Sequence, residues 1–229
     1  MSAQQPRPAA VLWDMDGTLI DSEPYWIAAE MELAHRYGVA WTHEDGLALV
    51  GNPLPLSGQV LKDRGVELEV DQIIEHLVAR VTEQVRQHAP WQADARALLE
   101  AVVAAGIPCA LVTMSYTRLA NAFLAQAPDA FSAVVTGDRV VNGKPDPEAF
   151  LTAAAELGVA IDDCIAIEDS PAGVASAYAS GARTIGVRRL TPIEGRPGLS
   201  RVASLDRVTV AMLGEIAAGR RIDELGHAT

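Results

Sequence analysis

Asp14-Met15-Asp16-Gly17-Thr18-Leu19, directly after the apolar run Ala9-Ala10-Val11-Leu12-Trp13, is the stretch that decides the fold and its chemistry. The apolar run predicts a buried strand, and Gly17 predicts a turn that ends it. The i, i+2 spacing points Asp14 and Asp16 to one face, where two carboxylates repel each other unless a cation or a proton is present. The alternative interpretation is a polar turn without chemistry. The buried strand before the turn favours a site for a metal ion and a nucleophile.

Composition and charge exclude several classes of protein. The chain has 229 residues, of which 49% are apolar, so it can bury a large core. Its net charge of −12, without a cluster of Lys and Arg, argues against nucleic-acid binding. No run approaches the ~20 apolar residues of a membrane span, and residues 1–8 are too polar for a signal peptide. We therefore expect a cytoplasmic protein without membrane contact, in which Cys109 and Cys164 are small buried residues.

Short apolar runs alternate with helical patterns along the chain. Five runs predict strands: Ala9 to Trp13, Pro108 to Val112, Ser132 to Val135, Cys164 to Ile167 and Thr184 to Val187. This alternation predicts an α/β fold with a doubly wound, Rossmann-like parallel sheet. Helical patterns occur at Pro24 to Tyr37, Leu54 to Arg64, Val70 to Gln87 and Ala93 to Ala105, and the last predicts a crossover helix. We therefore expect a core of residues 9–20 and 90–216, an inserted helical cap of residues 21–89, and flexible tails at 1–8 and 217–229.

The residues that follow the predicted strands have charges that suit the binding of a metal ion and an anionic substrate. Ligands of open parallel sheets bind beyond the carboxyl ends of the strands. These ends supply Asp14 and Asp16, Thr113 and Ser115, and Glu168 and Asp169, and Lys144 precedes a later helix. Acids suit a hard cation, and a lysine suits an anionic substrate. Mg²⁺ fits the oxygen donors better than Zn²⁺, because the five histidines fall in the cap or the tail.

Some members of this set have simpler interpretations. Thr113 could cap the helix that follows it, and for Ser115 capping is the better interpretation. Lys144 taken alone would be a solvated surface charge. Asp169, followed by Ser170 and Pro171, could begin a helix and still bind a metal ion.

Four motifs in order carry a family resemblance: Asp14-Met15-Asp16-Gly17-Thr18-Leu19, Leu111-Val112-Thr113-Met114-Ser115, Gly143-Lys144-Pro145 and Ile167-Glu168-Asp169-Ser170. With them the chain resembles the haloacid dehalogenase-like superfamily of aspartate-nucleophile phosphohydrolases. It is most similar to the branch with a helical cap after the first strand, which includes β-phosphoglucomutase and sugar-phosphate phosphatases. The resemblance spans about residues 11–187.

The resemblance implies a reaction in two displacements. Asp14 would attack phosphorus and become an aspartyl phosphate, while Asp16 would protonate the leaving oxygen and then activate water. Asp14, Asp169 and the backbone carbonyl of Asp16 would bind Mg²⁺, with Glu168 assisting directly or through water.

The resemblance also implies how the phosphate is held. Thr113 and backbone N–H groups near Met15 and Met114 would contact the phosphoryl oxygens. Lys144 would pair with both the phosphate and Asp14, so that positive charge offsets the repulsion between two anions.

The cap loop Val50-Gly51-Asn52-Pro53-Leu54-Pro55 bears on substrate choice. In the resembled family this loop faces the active site, so Gly51 and Asn52 are predicted substrate contacts. The phosphomutase pattern has an arginine here to hold a second phosphate, whereas Gly51 and Asn52 are neutral. Lys62 and Arg64 come a helix later, and we expect them not to reach the substrate. The loop therefore favours a phosphatase over a mutase.

Three functions remain on the sequence alone. The first is a Mg²⁺-dependent phosphatase for a small phosphorylated metabolite such as a sugar or polyol phosphate, acting as a monomer because cap opening needs room. The second is a β-phosphoglucomutase-like enzyme. The third is a regulatory domain that binds phosphate without turnover, which the intact acids disfavour. Asp16 argues against a dehalogenase or a phosphonate hydrolase.

Overall fold

Residues 6–226, the part of the chain that the computed structural model describes, form one sheet of six parallel strands. The strands are β1 (Ala10–Trp13), β2 (Cys109–Val112), β3 (Ala133–Val135), β4 (Cys164–Glu168), β5 (Arg183–Val187) and β6 (Ser200–Val202). Their order across the sheet is β3-β2-β1-β4-β5-β6. The α/β fold and its five predicted strands are confirmed. The sequence did not predict β6, because its three residues include two polar ones and give no apolar run.

The same described residues contain nine α-helices. Five lie between β1 and β2: α1 (Glu23–Arg36), α2 (His43–Leu47), α3 (Leu54–Asp63), α4 (Val70–Gln87) and α5 (Ala93–Ala104). The others are α6 (Thr117–Leu124), α7 (Glu148–Leu157), α8 (Pro171–Ser180) and α9 (Val210–Ala217). The short α2 was not predicted. It begins after Thr42, whose hydroxyl accepts from the N–H of Asp45 in a capping box.

β1 shows how the sheet separates two cores. Because side chains alternate along a strand, Val11 and Trp13 face one side and Ala10 and Leu12 face the other. The first side packs with residues of α5, α6 and α9, and the second packs with residues of α7 and α8. Helices therefore cover both faces, which leaves the carboxyl edge of the sheet as the place where strand ends meet a ligand.

Helices α1 to α4 form the helical cap inserted after β1. Two neighbouring connections join it to the core: the N–H of Asp21 donates to the carbonyl of Pro90 at 2.9 Å, and Ile20 pairs with Trp91. Helix α4 also packs on α6, where Arg118 Nη1 lies 2.6 Å from Glu75 Oε1. The boundaries of residues 21–89 for the cap stay a prediction.

The predicted tails lie partly outside the described residues, which exclude 1–5 and 227–229. The predicted C-terminal tail begins at residue 217, yet Asp223 pairs with Arg201 of β6 through two oxygen atoms at 3.0 Å. Arg201 is itself 5% exposed, so this segment covers a buried charge at the sheet edge. Within the described range, no helix combines the length and apolar composition that crossing a bilayer requires.

A buried ion pair joins α5 to the chain that follows β5. Two nitrogens of Arg189 donate to the two oxygens of Asp94 at 2.7 and 3.0 Å, and Ser204 and the N–H of Leu205 donate at 2.8 Å. Burial would raise the pKa of Asp94, but these donors, Arg189 above all, lower the pKa to about 2. Asp94 therefore stays charged and holds these segments together.

Candidate active site

Three carboxylates meet at the carboxyl edge of the sheet, as predicted. Asp14 directly follows β1, Glu168 ends the neighbouring β4, and Asp169 comes next. One ligand oxygen from each lies within 4.8 Å of the others, and all three residues are buried. The parallel pairing of β1 with β4 produces this approach, because it places both strand ends at the same height.

Lys144 is the cation of this cluster. Its Nζ donates to Asp14 Oδ1 and Glu168 Oε1 at 2.7 Å each, and to the carbonyl of Val112 at 2.8 Å. Burial would lower the pKa of Lys144, but the two carboxylates raise the pKa above its ordinary value. The side chain is 5% exposed, so the surface-charge interpretation is wrong.

Glu168 has both of its oxygens occupied. Oε1 accepts from Lys144, and Oε2 accepts from the N–H groups of Asp169 and Ser170 and from the Ser170 hydroxyl, at 2.9 to 3.1 Å. Gly173 makes room for this carboxylate, since a Cβ at residue 173 would overlap it. In this arrangement Glu168 orients Lys144 and the start of α8. Its predicted contact with a metal ion stays a prediction.

Asp169 is held by the turn that follows β1. The buried hydroxyl of Thr18 donates to Asp169 Oδ1 at 2.8 Å. A Cβ on Gly17 would overlap the Asp169 carboxylate, and Gly17 has a φ of 88°, which glycine adopts without strain. Gly17 and Thr18, both in the first motif, therefore hold Asp169 of the fourth motif in place. Thr18 was not among the predicted site residues, although its place in the first motif could have indicated it.

Asp14 and Asp169 carry more negative charge than one lysine offsets. Burial, followed by the charge of Glu168, raises the pKa of Asp14 to about 7, even though Lys144 lowers it. Burial and the charge of Asp14 likewise raise the pKa of Asp169 well above its usual range. Asp14 Oδ2 is buried and has no partner among the described residues. An unpartnered carboxylate oxygen beside a second acid is the donor set that Mg²⁺ binds, so the residues present fit this ion.

Asp16 accepts hydrogen bonds from three hydroxyls. Ser22 donates to Oδ1 at 2.6 Å, while Ser115 and Thr113 donate to Oδ2 at 2.8 and 3.2 Å. The prediction that Ser115 caps a helix is wrong, because α6 begins two residues later and has Tyr116 at its N-cap position. Sequence reasoning missed Ser22 and Ser115 as contacts of Asp16. The spacing of Ser22 six residues after Asp16 carried no signal, because the turn between them brings the two together.

The predicted phosphate contacts lie beside the acids. The hydroxyl of Thr113 accepts from the N–H of Ser115 at 3.0 Å and donates to Asp16, so Thr113 faces the cluster and is not a helix cap. The backbone N–H groups of Met15 and Met114 donate to no acceptor within residues 6–226. Free N–H groups next to one another at the carboxyl edge of a sheet are suited to bind an anion.

The predicted cap contacts make no hydrogen bond with the acids among the described residues. Gly51 and Asn52 lie in the loop between α2 and α3, and within residues 6–226 neither side chain nor backbone is bonded to the carboxylate cluster. Lys62 pairs with Glu69 at 2.7 Å, and Arg64 with Asp45 at 3.1 Å, as expected for residues that do not serve the site. Contact of the loop with substrate stays a prediction.

Comparison with known proteins agrees with this geometry. A family model described as haloacid dehalogenase-like hydrolase matches residues 11–187. Hexitol phosphatase A of Escherichia coli (strain K12) is 35% identical over 219 residues, covering 89% of this chain and 94% of that protein. Fructose-1-phosphate phosphatase YqaB of the same strain is 33% identical over 189 residues, covering 80% and 98%. The crystal structure of β-phosphoglucomutase from Clostridium difficile is similar in fold, with a TM-score of 0.74, 23% identity, and coverage of 92% and 97%.

Proposed function

We propose, from the premise that this chain belongs to the haloacid dehalogenase-like hydrolase family, that it is a magnesium-dependent phosphatase of small phosphate monoesters. The observation that carries this proposal is the state of Asp14. One of its oxygens is paired with Lys144, while the other is buried, lies next to Asp169 and has no partner among residues 6–226. A carboxylate in this setting can act as a nucleophile toward phosphorus once the surrounding negative charge is offset.

The proposed substrate is a sugar or polyol phosphate. Two relatives above 30% identity are named for hexitol phosphates and for fructose 1-phosphate, and this chain covers more than nine tenths of each. Both names describe a monophosphate of a hydroxylated six-carbon compound. We expect this protein to act on the same chemical class, in the cytoplasm and as a monomer.

Asp14, Asp169 and the backbone carbonyl of Asp16 would hold the Mg²⁺ ion, with Glu168 acting on it directly or through water. When bound, the ion supplies positive charge that reduces the repulsion between the carboxylates and an anionic phosphate. Lys144 supplies the same kind of charge from the other side of Asp14. The buried cluster makes each of these charges count for more than it would in water.

The chain's own residues account for the remaining steps. Asp14 attacks phosphorus, and the free N–H groups of Met15 and Met114, with the Thr113 hydroxyl, hold the phosphoryl oxygens. Asp16 gives a proton to the leaving oxygen and later removes one from the water that hydrolyses the aspartyl phosphate. The three hydroxyls around Asp16 keep its carboxylate on the side of the site where both transfers occur.

The mutase alternative requires the same nucleophile and a second phosphate contact. Gly51 and Asn52 offer no positive charge for such a contact, which favours net hydrolysis. Interconversion of hexose phosphates with a bisphosphate activator, without release of phosphate, would identify a mutase instead. Inactivity of the protein on every phosphate ester tested would favour a regulatory domain.

Phosphate release tests the proposal. The purified protein is incubated with fructose 1-phosphate, hexitol phosphates and p-nitrophenyl phosphate, with Mg²⁺ and with EDTA. We expect turnover only with Mg²⁺, and a loss of at least ~10³-fold in Asp14→Asn, because an amide cannot form the acyl phosphate. Asp162→Asn makes the same change on an exposed residue and should keep full activity. Equal turnover of Asp14→Asn and the unmodified protein would remove Asp14 from its role.

A further inference from the structure

Every lysine and arginine of the cap is already paired with a carboxylate of the cap. Residues 21–89, all of which the structure describes, contain five such side chains. The pairs are Arg36 with Glu32, Lys62 with Glu69, Arg64 with Asp45, Arg80 with Glu32, and Arg86 with Glu83, at 2.7 to 3.1 Å. No lysine or arginine of the cap is therefore left without a carboxylate partner. A second anion that bound one of these cations would have to compete with that carboxylate.

The connection from α2 to α3 adds no charge either. Residues 46–61 contain neither an acidic nor a basic side chain, and this stretch includes the predicted substrate loop. Its polar groups are the Asn52, Ser57 and Gln59 side chains and the backbone. Such groups can bind hydroxyls, but they neutralise no phosphate.

Glu23 is an acidic residue at the base of the cap, close enough to Asp16 for the two carboxyl groups to interact. It is the first residue of α1 and follows Ser22, whose hydroxyl binds Asp16. Its side chain is partly buried, and among residues 6–226 no cation or hydrogen-bond donor contacts its carboxylate. Burial, with the charges of Asp16 and Asp21, raises the pKa of Glu23 to about 7. Asp16 and Asp21 therefore lie near Glu23, no cation of residues 6–226 pairs with it, and its carboxyl group is mostly ionised only above about pH 7.

We propose that the leaving group of the substrate is uncharged, and that Glu23 is a specificity-determining residue that accepts hydrogen bonds from its hydroxyls and repels a second phosphate. This inference rests on the proposed function, because it describes the other half of the same phosphate ester. It narrows the substrate class to monophosphates of neutral polyols and sugars. Bisphosphates of the same compounds are excluded by charge and not by size.

The physical reason is a difference between two interactions. A hydroxyl of the leaving group can donate to the Glu23 carboxylate, which has no other donor. A phosphate in the same place would lie beside Glu23, Asp21 and Asp16 without a cation to separate them. Repulsion between like charges in a partly buried site lowers the affinity for the wrong substrate by ~10-fold or more per close pair.

The test compares two substrates that share a phosphate position. We measure kcat/KM for fructose 1-phosphate and fructose 1,6-bisphosphate at about pH 8.5, where Glu23 is ionised, with saturating Mg²⁺, and follow phosphate release. We expect a preference of at least ~10-fold for the monophosphate. The preference should decrease when the salt concentration rises from about 0.02 M to about 0.5 M, because salt screens partly exposed charges.

Glu23→Gln separates charge from shape. This variant keeps the size of the side chain and removes the charge, so the preference should fall by ~3- to 10-fold, mainly through faster hydrolysis of the bisphosphate. Glu67→Gln makes the same change in net charge on an exposed cap residue and should leave the preference unchanged. Circular dichroism and thermal unfolding confirm that both variants are folded.

Calorimetric binding provides a readout without turnover. Both sugar phosphates are titrated into Asp14→Asn with Mg²⁺, and into Asp14→Asn with Glu23→Gln. We expect tighter binding of the monophosphate in the first protein and a smaller difference in the second.

The two proposals fail in different ways. If the protein hydrolyses both substrates equally well, or if Glu23→Gln keeps the full preference, the inference on Glu23 is wrong while the phosphatase activity stands. If no ester is hydrolysed and neither sugar phosphate binds, the proposed function and this inference are both wrong.

Discussion

Ser115→Ala tests whether the hydroxyls around Asp16 position it for proton transfer. Ser115 is 7% exposed, and its Oγ donates to Asp16 Oδ2 at 2.8 Å, whereas Thr113 reaches the same oxygen at 3.2 Å. Alanine removes the shorter of these two bonds and leaves the bond from Ser22 to Oδ1 in place. The carboxylate then has one firm contact and one weak one, so it can rotate away from the leaving oxygen.

The size of the effect follows from the bonds that remain. A hydrogen bond to a charged group contributes about 1.5–3 kcal/mol. The two remaining donors and entering water replace part of this hydrogen-bond energy. We therefore expect transition-state stabilisation to fall by about 1.4 kcal/mol, which lowers kcat/KM for a sugar phosphate ~10-fold. An alkoxide leaving group depends on protonation by Asp16, whereas p-nitrophenolate is a weak base that leaves without it. The kcat/KM for p-nitrophenyl phosphate should therefore change less than threefold, an estimate on the same scale.

The assay is a steady-state comparison of fructose 1-phosphate with p-nitrophenyl phosphate. Ser180→Ala removes another buried hydroxyl, one that donates to the carbonyl of Ala177 away from the acids, and it should change neither substrate. Thermal unfolding of both variants controls for lost stability. A decrease of equal size for the two esters, or no decrease for the sugar phosphate, would refute the idea that Ser115 acts through Asp16.

Two further changes test the support of the carboxylate cluster, and a third tests the buried ion pair of Asp94. Gly173→Ala should displace the buried Glu168 carboxylate, which lowers the free energy of unfolding by about 2–4 kcal/mol in a denaturant titration and also lowers activity. A stable, active variant would show that the space left by Gly173 is not needed. Thr18→Val removes the donor to Asp169, and we expect the Mg²⁺ concentration for half-maximal activity to rise ~10-fold, against an unchanged value if the bond is unimportant. Asp94→Asn should cost about 1–3 kcal/mol at pH 7. Because the pKa of Asp94 is lowered from 3.8 to about 2, the stability that it contributes is complete above pH 4 and is lost as the pH falls toward 2, so the variant and the unmodified protein should converge there; a constant difference across this range would contradict the linkage.

The sequence predicted those helices and strands that are long enough to show a regular pattern of apolar residues. The strands from β1 to β5 and the helices α1, α3, α4 and α5 appear within one or two residues of their predicted bounds. The elements that were missed, β6, α2 and α9, are three, five and eight residues long. Such short segments contain too few side chains to establish a pattern, and their neighbours in space decide their conformation.

The candidate site was predictable in its acids and its lysine, but not in its hydroxyls. Asp14 and Asp169 could be expected to meet because they follow neighbouring strands of one parallel sheet. Lys144 precedes a helix of the same fold and was added as the cation that an anionic substrate requires. Ser115 was expected at a helix cap and instead binds Asp16. A hydroxyl accepts and donates in many settings, so its partner depends on which groups the fold brings within 3 Å.

By itself, the sequence predicted that acids suited to a cation stand at the ends of buried strands and that one lysine precedes a later helix, because residue type and strand position are local properties. Only the tertiary structure decided that Glu168 is saturated by Lys144 and the start of α8, that one oxygen of Asp14 has no partner among residues 6–226, and that the lysines and arginines of the cap are all paired. These are outcomes of competition between partners far apart in the chain. Burial makes each choice costly to reverse, and only the folded arrangement fixes which partner is nearest.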